Sequence, residues 1–136
     1  MPFEQCVPIA GDGDIVTART RAKEMAHTLG FSRTDQTVVA AAVSEIARNI
    51  LTYAGRGKIV LSPLRGDGGW GLMVVARDEG PGIPDVARAL TDGYSTSGSL
   101  GVGLPGARRL MDSLEVESAV GKGTTVTMLK WVDHSG

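Results

Sequence analysis

Apolar residues recur at helical spacing in three stretches of the chain. The first stripe consists of Ile15, Ala18, Ala22, Met25 and Leu29. The second lies in a segment from about Asp35 to Ala54 and consists of Val39, Val43, Ile46 and Ile50. The third is shorter and consists of Leu104, Ala107, Leu110 and Met111. Apolar residues three or four positions apart share one face of a helix, so this pattern predicts three amphipathic helices.

Alternating residues predict strands on either side of these helices. Near the start, Phe3, Gln5, Val7 and Ile9 alternate with other residue types, and Pro8 makes this an edge strand. Further strands are predicted over 58–64, 70–77, 113–118 and 124–131, and the second of these is apolar enough to be central. We also predict a short helix over 84–90 and a glycine-rich loop over 91–101.

The resulting element order is β-α-α-β-β-α-β-β, with short turns between neighbouring strands. Short turns favour antiparallel pairing, and the helices can all cover one face of the sheet. We therefore predict an α+β fold: a two-layer α/β sandwich with a mixed, mostly antiparallel sheet. A length of 136 residues indicates a single domain spanning residues 1–136.

Composition excludes several classes of protein. The formal net charge is −1, with 14 Lys and Arg against 15 Asp and Glu, so the chain lacks the basic excess of a nucleic-acid-binding protein. No apolar run approaches the ~20 residues of a membrane span. The N-terminus does not read as a signal peptide, and a single cysteine, Cys6, fits a cytoplasmic protein. We expect Cys6 to be a small buried residue.

An acid and an amide lie one turn apart on the second predicted helix. Glu45 and Asn49 share a flank between the apolar stripe and a solvent-facing pole, which we place near Ser44 and Arg48. Small apolar residues surround the pair, as at the edge of a pocket. The alternative is a partly exposed surface pair, and the spacing alone favours this second interpretation.

Three glycine-containing segments are candidate ligand loops. In Asp78-Glu79-Gly80-Pro81-Gly82, a carboxylate follows a buried strand, and it suits either an exocyclic amine or a helix cap. The segment 101–106 matches G-x-G-x-x-G, the fingerprint of dinucleotide-binding folds, but no strand is predicted before it, which that fingerprint requires. We interpret it as a glycine loop at the start of a helix. Such a loop either binds phosphate or only connects two elements. The segment 121–125 is a turn that brings Thr124 near Asp78 if their strands are neighbours.

Together these elements form an ordered set: Glu45-x-x-x-Asn49, Asp78-x-Gly80-x-Gly82, Gly101-x-Gly103 and Gly123-Thr124. Their order resembles the four ATP-binding boxes of the GHKL ATPase superfamily, whose ATP-binding domain has the Bergerat fold. The segments 44–50, 78–85, 92–98 and 103–106 are similar to those of the anti-sigma-factor serine/threonine kinases, most of all the switch kinases of the bacterial stressosome. The similarity extends over almost the whole chain.

The resemblance implies a role for each box. Glu45 would be the general base for the acceptor serine, and Asn49 would hold Mg²⁺. Asp78 would accept a hydrogen bond from the adenine amine, with Thr124 in support. The loop over 91–101 would close over the phosphates. The implied ATP-binding set comprises Asn49, Asp78, Gly80, Gly82, Ile83, Gly98, Gly101, Val102, Gly103, Leu104 and Thr124.

Two functions follow from the resemblance. The first is an ATP- and Mg²⁺-dependent serine kinase that phosphorylates a small STAS-domain partner and, by partner switching, activates a PP2C-type phosphatase. The second is a binding module that sequesters a sigma factor or another protein, with ATP as a regulatory ligand. Both imply a cytoplasmic protein that acts on neither nucleic acid nor membrane.

Overall fold

The structure is a computed structural model that describes residues 3–80 and 103–132. Its strands are β1 (Gln5–Ile9), β2 (Gly57–Gly66), β3 (Gly69–Asp78), β4 (Ser113–Ala119) and β5 (Gly123–Trp131). Its helices are α1 (Asp12–Leu29), α2 (Arg33–Tyr53) and α3 (Gly103–Leu110). The predicted helix over 84–90 and the predicted loop over 91–101 lie outside the described residues.

The five strands form one sheet in the order β1-β2-β3-β5-β4. Every pairing among these strands is antiparallel. The predicted α+β architecture is confirmed: β1 is at an edge and β3 is in the centre. The prediction of a single domain over residues 1–136 stays a prediction.

The helices cover one face of the sheet, which we call the inner face. Residues of the sheet that point to this face are buried: Val7, Ile9, Ile59, Leu61, Leu72, Val74, Ala76, Val126 and Met128. The predicted stripes of α1 and α2 are buried against them without exception. Burial of these two stripes and of alternate strand residues forms the hydrophobic core.

The helix ends follow the local sequence. The Asp14 carboxylate accepts hydrogen bonds from the backbone N–H groups of Ala10 and Gly11 at the start of α1. Gly30 ends α1 in the left-handed conformation, with φ of 99°. Ser32 caps α2 by accepting a hydrogen bond from the backbone of Asp35 at 3.1 Å. Among the described residues, no helix is long and apolar enough to cross a membrane.

Two predictions about burial are wrong. Ser44, placed at the solvent pole of α2, is only 7% exposed, because α1 packs beside α2 and extends the buried surface beyond the apolar stripe. Its hydroxyl donates to the carbonyl of Ala40 at 2.8 Å, so the buried group is paired. Cys6 is exposed rather than buried. Its neighbour Val7 points to the inner face, so Cys6 points to the other side of the sheet.

Candidate functional site

Three polar residues form a row across the ends of neighbouring strands. Asp78, the last residue of β3, lies opposite Thr124 of β5, which in turn lies opposite Ser118 of β4. Directly opposed residues point to the same face of a sheet, and this row continues the inner face that carries Ala76 and Val126. The predicted proximity of Thr124 to Asp78 is therefore confirmed by the strand register.

Two hydroxyl groups of this row are hydrogen-bonded to each other. The oxygens of Ser118 and Thr124 are 2.9 Å apart, and Ser118 donates to the carbonyl of Gly123 at 3.0 Å. Because a hydroxyl has one hydrogen, Thr124 is the donor to Ser118 and keeps lone pairs to accept from a ligand. Sequence reasoning missed Ser118. Knowing the register of the β4–β5 turn would have identified it as the neighbour of Thr124.

The Asp78 side chain is held by its own loop. One carboxylate oxygen, Oδ1, accepts from the backbone N–H of Gly80 at 2.9 Å, a turn typical of aspartate. Oδ2 makes no hydrogen bond to a described residue. The carboxylate thus has a fixed orientation and keeps an oxygen for a donor such as an exocyclic amine.

Glycines allow this loop to pack against its neighbours. A Cβ on Gly80 would lie 2.6 Å from the Cβ of Ala54, at the end of α2. A Cβ on Gly123 would overlap the carbonyl oxygen of Asp78. Both positions are close backbone approaches that exclude any side chain, so Glu79 and Gly80, which directly follow β3, are fixed between α2 and β5.

The helix α2 closes the other side of the site. The half-buried Asn49 lies on a small cavity shared by α2, β3 and β5. The residues that line this cavity are Ile46, Asn49, Ile50, Tyr53, Ala76, Asp78, Thr124 and Val126. The structure therefore brings together three predicted site residues, Asn49, Asp78 and Thr124, from three different elements. An amide, a carboxylate and a hydroxyl on an apolar floor are suited to a flat, polar-edged ligand.

Glu45 lies one turn before Asn49 and forms an ion pair. Its carboxylate accepts from the Arg48 guanidinium at 3.0 Å, and the side chains of Glu45 and Arg48 are 20% and 54% exposed. Glu45 does not line the cavity around Asn49. Arg48, which we placed at a solvent pole, is exposed but also orients Glu45. Its i,i+3 spacing from Glu45 is the signal that could have revealed this.

The phosphate-loop residues are only partly described. Gly103 is the first residue of α3. The side chain of Leu104 is 5% exposed and belongs to the hydrophobic core, so only its backbone is available to a ligand. A helix start presents free N–H groups to anions. Gly82, Ile83, Gly98, Gly101 and Val102 lie outside the described residues.

Comparison with known proteins shows the family to which the chain belongs. Residues 10–130 match the family described as the histidine kinase-like ATPase domain, and the chain belongs to this family. It is a domain that uses ATP. Solved structures agree on the fold: the mycobacterial sensor histidine kinase MprB matches with a TM-score of 0.57 at 18% identity, covering 94% of this chain and 97% of that one. A chain of the SiaB–SiaC complex from Pseudomonas aeruginosa gives a TM-score of 0.60 at 12% identity, with 94% and 89% covered.

Two similar proteins indicate which kind of ATP-using protein this chain is. The serine/threonine-protein kinase RsbT of Bacillus subtilis is 46% identical over 97% of this chain and 99% of its own length. The anti-sigma F factor of Caldanaerobacter subterraneus is 34% identical, with 87% of this chain and 85% of that protein covered. The chain is thus a protein serine/threonine kinase, similar to RsbT and to the anti-sigma F factors.

Proposed function

We propose that this chain transfers the γ-phosphoryl group of ATP to a serine of a small STAS-domain protein, as a partner-switching kinase of cytoplasmic stress or sigma-factor signalling. The observation that carries the proposal is the convergence of Asn49, Asp78 and Thr124 on one cavity, with Glu45 one turn away on the same helix. The 46% identity to a serine/threonine-protein kinase supports the reaction type. STAS specificity, and later activation of a PP2C-type phosphatase, rest on the resemblance of the sequence motifs.

Nucleotide binding is assigned to the three cavity residues and the glycine loops. Asp78 would accept from the adenine amine through its unengaged oxygen, and Thr124 would accept a further hydrogen bond. The loop glycines Gly80, Gly82, Gly101 and Gly103 would allow close backbone approach, and the first turn of α3 would face the phosphates. Ile83, Gly98, Val102 and the backbone of Leu104 complete the proposed set.

The donor chemistry of the site fits a magnesium ion. Mg²⁺ prefers oxygen ligands and is commonly held by one or two protein groups together with substrate phosphates, and the amide oxygen of Asn49 is such a ligand. When bound, the ion would neutralise phosphate charge during transfer. The half-buried position of Asn49 on the cavity restricts the directions its amide can take.

Glu45 is proposed as the base. The acceptor serine oxygen forms a bond to the γ-phosphorus as the bond from that phosphorus to the ADP oxygen breaks, and the serine proton passes to the Glu45 carboxylate. The ion pair with Arg48 would restrict the rotamers of Glu45 before the acceptor arrives. Arg48 is therefore a positioning residue in this scheme.

The test is transfer of labelled phosphate. Purified chain, γ-labelled ATP and Mg²⁺ are added to a cognate lysate, and wild type is compared with Glu45→Gln after both are shown to bind ATP. We expect one small protein to be labelled on serine and the rate to fall about 10²–10⁴-fold in the variant. Glu24→Gln on the exposed face of α1 is the matched control. Undiminished transfer by Glu45→Gln would refute the assigned base.

A second candidate function is sequestration of a partner with ATP as a regulatory ligand. It is favoured by the similarity to anti-sigma F factors over most of the chain. The discriminating experiment is a pull-down with ATP and Mg²⁺. Recovery of a sigma factor, together with the absence of any phosphorylated partner, would favour this function over the kinase.

A further inference from the structure

The hydroxyl of Thr124 belongs to a short hydrogen-bonded chain that begins at the cavity and ends on the main chain. Thr124 is only 8% exposed and lines the cavity together with Asn49 and Asp78. Its oxygen lies 2.9 Å from the hydroxyl oxygen of Ser118, which in turn lies 3.0 Å from the carbonyl oxygen of Gly123. Ser118 does not itself line the cavity, so any effect it has on a ligand passes through Thr124.

This chain of hydrogen bonds has one direction, because its last member has no hydrogen. The Gly123 carbonyl can only accept, and it takes the single hydrogen of the Ser118 hydroxyl. Ser118 can then only accept from Thr124, whose hydrogen therefore points away from the cavity. The reverse order would leave the Gly123 carbonyl facing a lone pair of Ser118, at the cost of an unmade hydrogen bond. Thr124 therefore presents only lone pairs to the cavity.

The carbonyl that ends the hydrogen-bonded chain is held in place by packing. Gly123 has a φ of 88°, and a Cβ there would overlap the carbonyl oxygen of Asp78. Its main chain therefore lies against the end of β3, and a rotation of its carbonyl away from Ser118 would disturb that contact. Ser118 lies opposite Thr124 in the register of β4 with β5, so the strand pairing fixes the other end. The two hydroxyl groups are thus built into the sheet.

Asp78, which lies opposite Thr124 on the other neighbouring strand, is also an acceptor. One of its carboxylate oxygens accepts from the backbone N–H of Gly80 at 2.9 Å, and a carboxylate has no hydrogen to donate. Among the described residues, the polar side chains that β3 and β5 contribute to the cavity, Asp78 and Thr124, are therefore both acceptors. The other polar side chains on the cavity, Asn49 and Tyr53, belong to α2, which lies over the sheet.

We propose that Ser118 is a positioning residue that sets the nucleobase preference of the ATP site, by holding the Thr124 hydroxyl as an acceptor. The inference rests on the proposed function, since it requires the nucleotide base to lie against Asp78 and Thr124. The exocyclic amine of adenine has two hydrogens and can donate to both side chains. Hypoxanthine and guanine carry a carbonyl at that position, and its lone pairs would face those of Asp78 and Thr124, which would stay unpaired.

Removal of the Ser118 hydroxyl changes what Thr124 can offer to the base. Ser118→Ala deletes the acceptor of the Thr124 hydrogen, so the Thr124 hydroxyl can rotate and donate to a ring carbonyl. Asp78 stays an acceptor in this variant. We therefore expect the preference for adenine over hypoxanthine to fall about tenfold, the effect of a single hydrogen bond, without being lost.

Binding of two nucleoside diphosphates tests the proposal without the transfer reaction. Calorimetric titration of the full chain with Mg²⁺ gives the dissociation constants of ADP and of IDP, in which a carbonyl replaces the amine and N1 gains a hydrogen. We expect the ratio of the IDP constant to the ADP constant to fall about tenfold in Ser118→Ala. Ser118→Thr, which keeps a hydroxyl on the same carbon, should restore the ratio to within about threefold of wild type. Ser113→Ala, the same change at the exposed start of β4, is the matched control and should leave the ratio unchanged.

A second variant shows whether Ser118 acts through Thr124. Thr124→Val keeps the shape of the side chain and removes its hydroxyl, so adding Ser118→Ala to it should change the ratio less than about twofold. Urea unfolding establishes the conditions under which each variant is folded. A purely structural role of Ser118 would raise both dissociation constants together and leave their ratio unchanged.

The outcomes separate this inference from the proposed function. An unchanged ratio in Ser118→Ala, with ADP binding retained, would overturn the role of Ser118 and leave the proposed nucleotide site intact. A fall of about tenfold that persists in the Thr124→Val background would overturn it as well, because Ser118 would then act by another route. Failure of wild type to bind ADP would overturn the proposed function, and this inference with it.

Discussion

Replacement of two glycines in one turn separates backbone strain from steric overlap next to the site. Gly121 and Gly123 both have positive φ angles, 79° and 88°. A Cβ on Gly121 would meet nothing within 4 Å. A Cβ on Gly123 would overlap the carbonyl oxygen of Asp78 and lie 2.9 Å from the Cα of Glu79. Because both obstacles are main-chain atoms in a packed loop, neither can rotate away.

The expected magnitudes differ accordingly. An alanine in the left-handed region costs about 1–2 kcal/mol, and the lower entropy of its unfolded chain offsets about 0.4–1 kcal/mol of that. Gly121→Ala should therefore destabilise the protein by about 1 kcal/mol. Gly123→Ala adds overpacking of about 1–3 kcal/mol, for a total of about 2–4 kcal/mol. With a urea dependence of about 1–3 kcal/mol per molar, the midpoint of Gly123→Ala should fall by roughly 1 M more.

Two assays check this reasoning. Urea unfolding followed by circular dichroism gives the free energies, and calorimetric titration with a non-hydrolysable ATP analogue gives affinity under conditions where both variants are folded. We expect Gly123→Ala to bind the analogue more weakly than Gly121→Ala, because the methyl group displaces the backbone that carries Asp78. Equal stability of the two variants, within about 0.5 kcal/mol, would show that the close approach at Gly123 does not constrain the fold.

Three further predictions concern single residues. Leu104 lies in a proposed phosphate loop, but its side chain is in the core. Leu104→Ala should therefore destabilise the protein by about 2–5 kcal/mol in the same urea assay. A change under 1 kcal/mol would contradict this. Arg48→Ala should change the free energy of unfolding by less than about 1 kcal/mol, as expected for a partly exposed ion pair. It should lower the rate of phosphoryl transfer, because Glu45 is no longer held in place, and should have little effect on the KM for ATP. An unaffected rate would remove Arg48 from the mechanism. Cys6 should react fully with a thiol reagent in the folded protein, at a rate close to that in urea, since it is exposed; protection by folding would show that the outer side of β1 is covered.

Much of the fold could be predicted because burial imposes a period on the sequence. The stripes of α1 and α2 and the alternation of Val7 and Ile9 in β1 are all found as predicted. Ser44 and Cys6 were assigned wrongly because one-dimensional periodicity identifies the most apolar side of an element, not how many neighbours it has. The position of α1 beside α2 buries Ser44, whereas Cys6 is exposed because none of the described helices lies on its side of the sheet.

The candidate site was predicted as a set of residues rather than as an arrangement. Glu45 and Asn49 are linked by helical spacing, so their common flank follows from sequence. Nothing in the sequence near Thr124 states that Ser118 accepts its hydrogen, because that bond depends on the register of the β4–β5 hairpin. The ion pair of Glu45 with Arg48 depends on the rotamers that the packed helix permits.

The sequence by itself determined the order of the elements, the apolar stripes of α1 and α2 and the residue types of the four boxes, since hydrophobic burial and glycine conformations are local requirements. Only the tertiary structure decided which residues meet. The antiparallel pairing of β3 with β5 places Asp78 beside Thr124 across 46 residues of chain, and α2 adds Asn49 above them. The same pairing places Lys58 of β2 and Glu117 of β4 in one row on the face of the sheet opposite the helices. Such contacts join residues far apart along the chain, and it is the packing of the whole sheet against its helices that selects them.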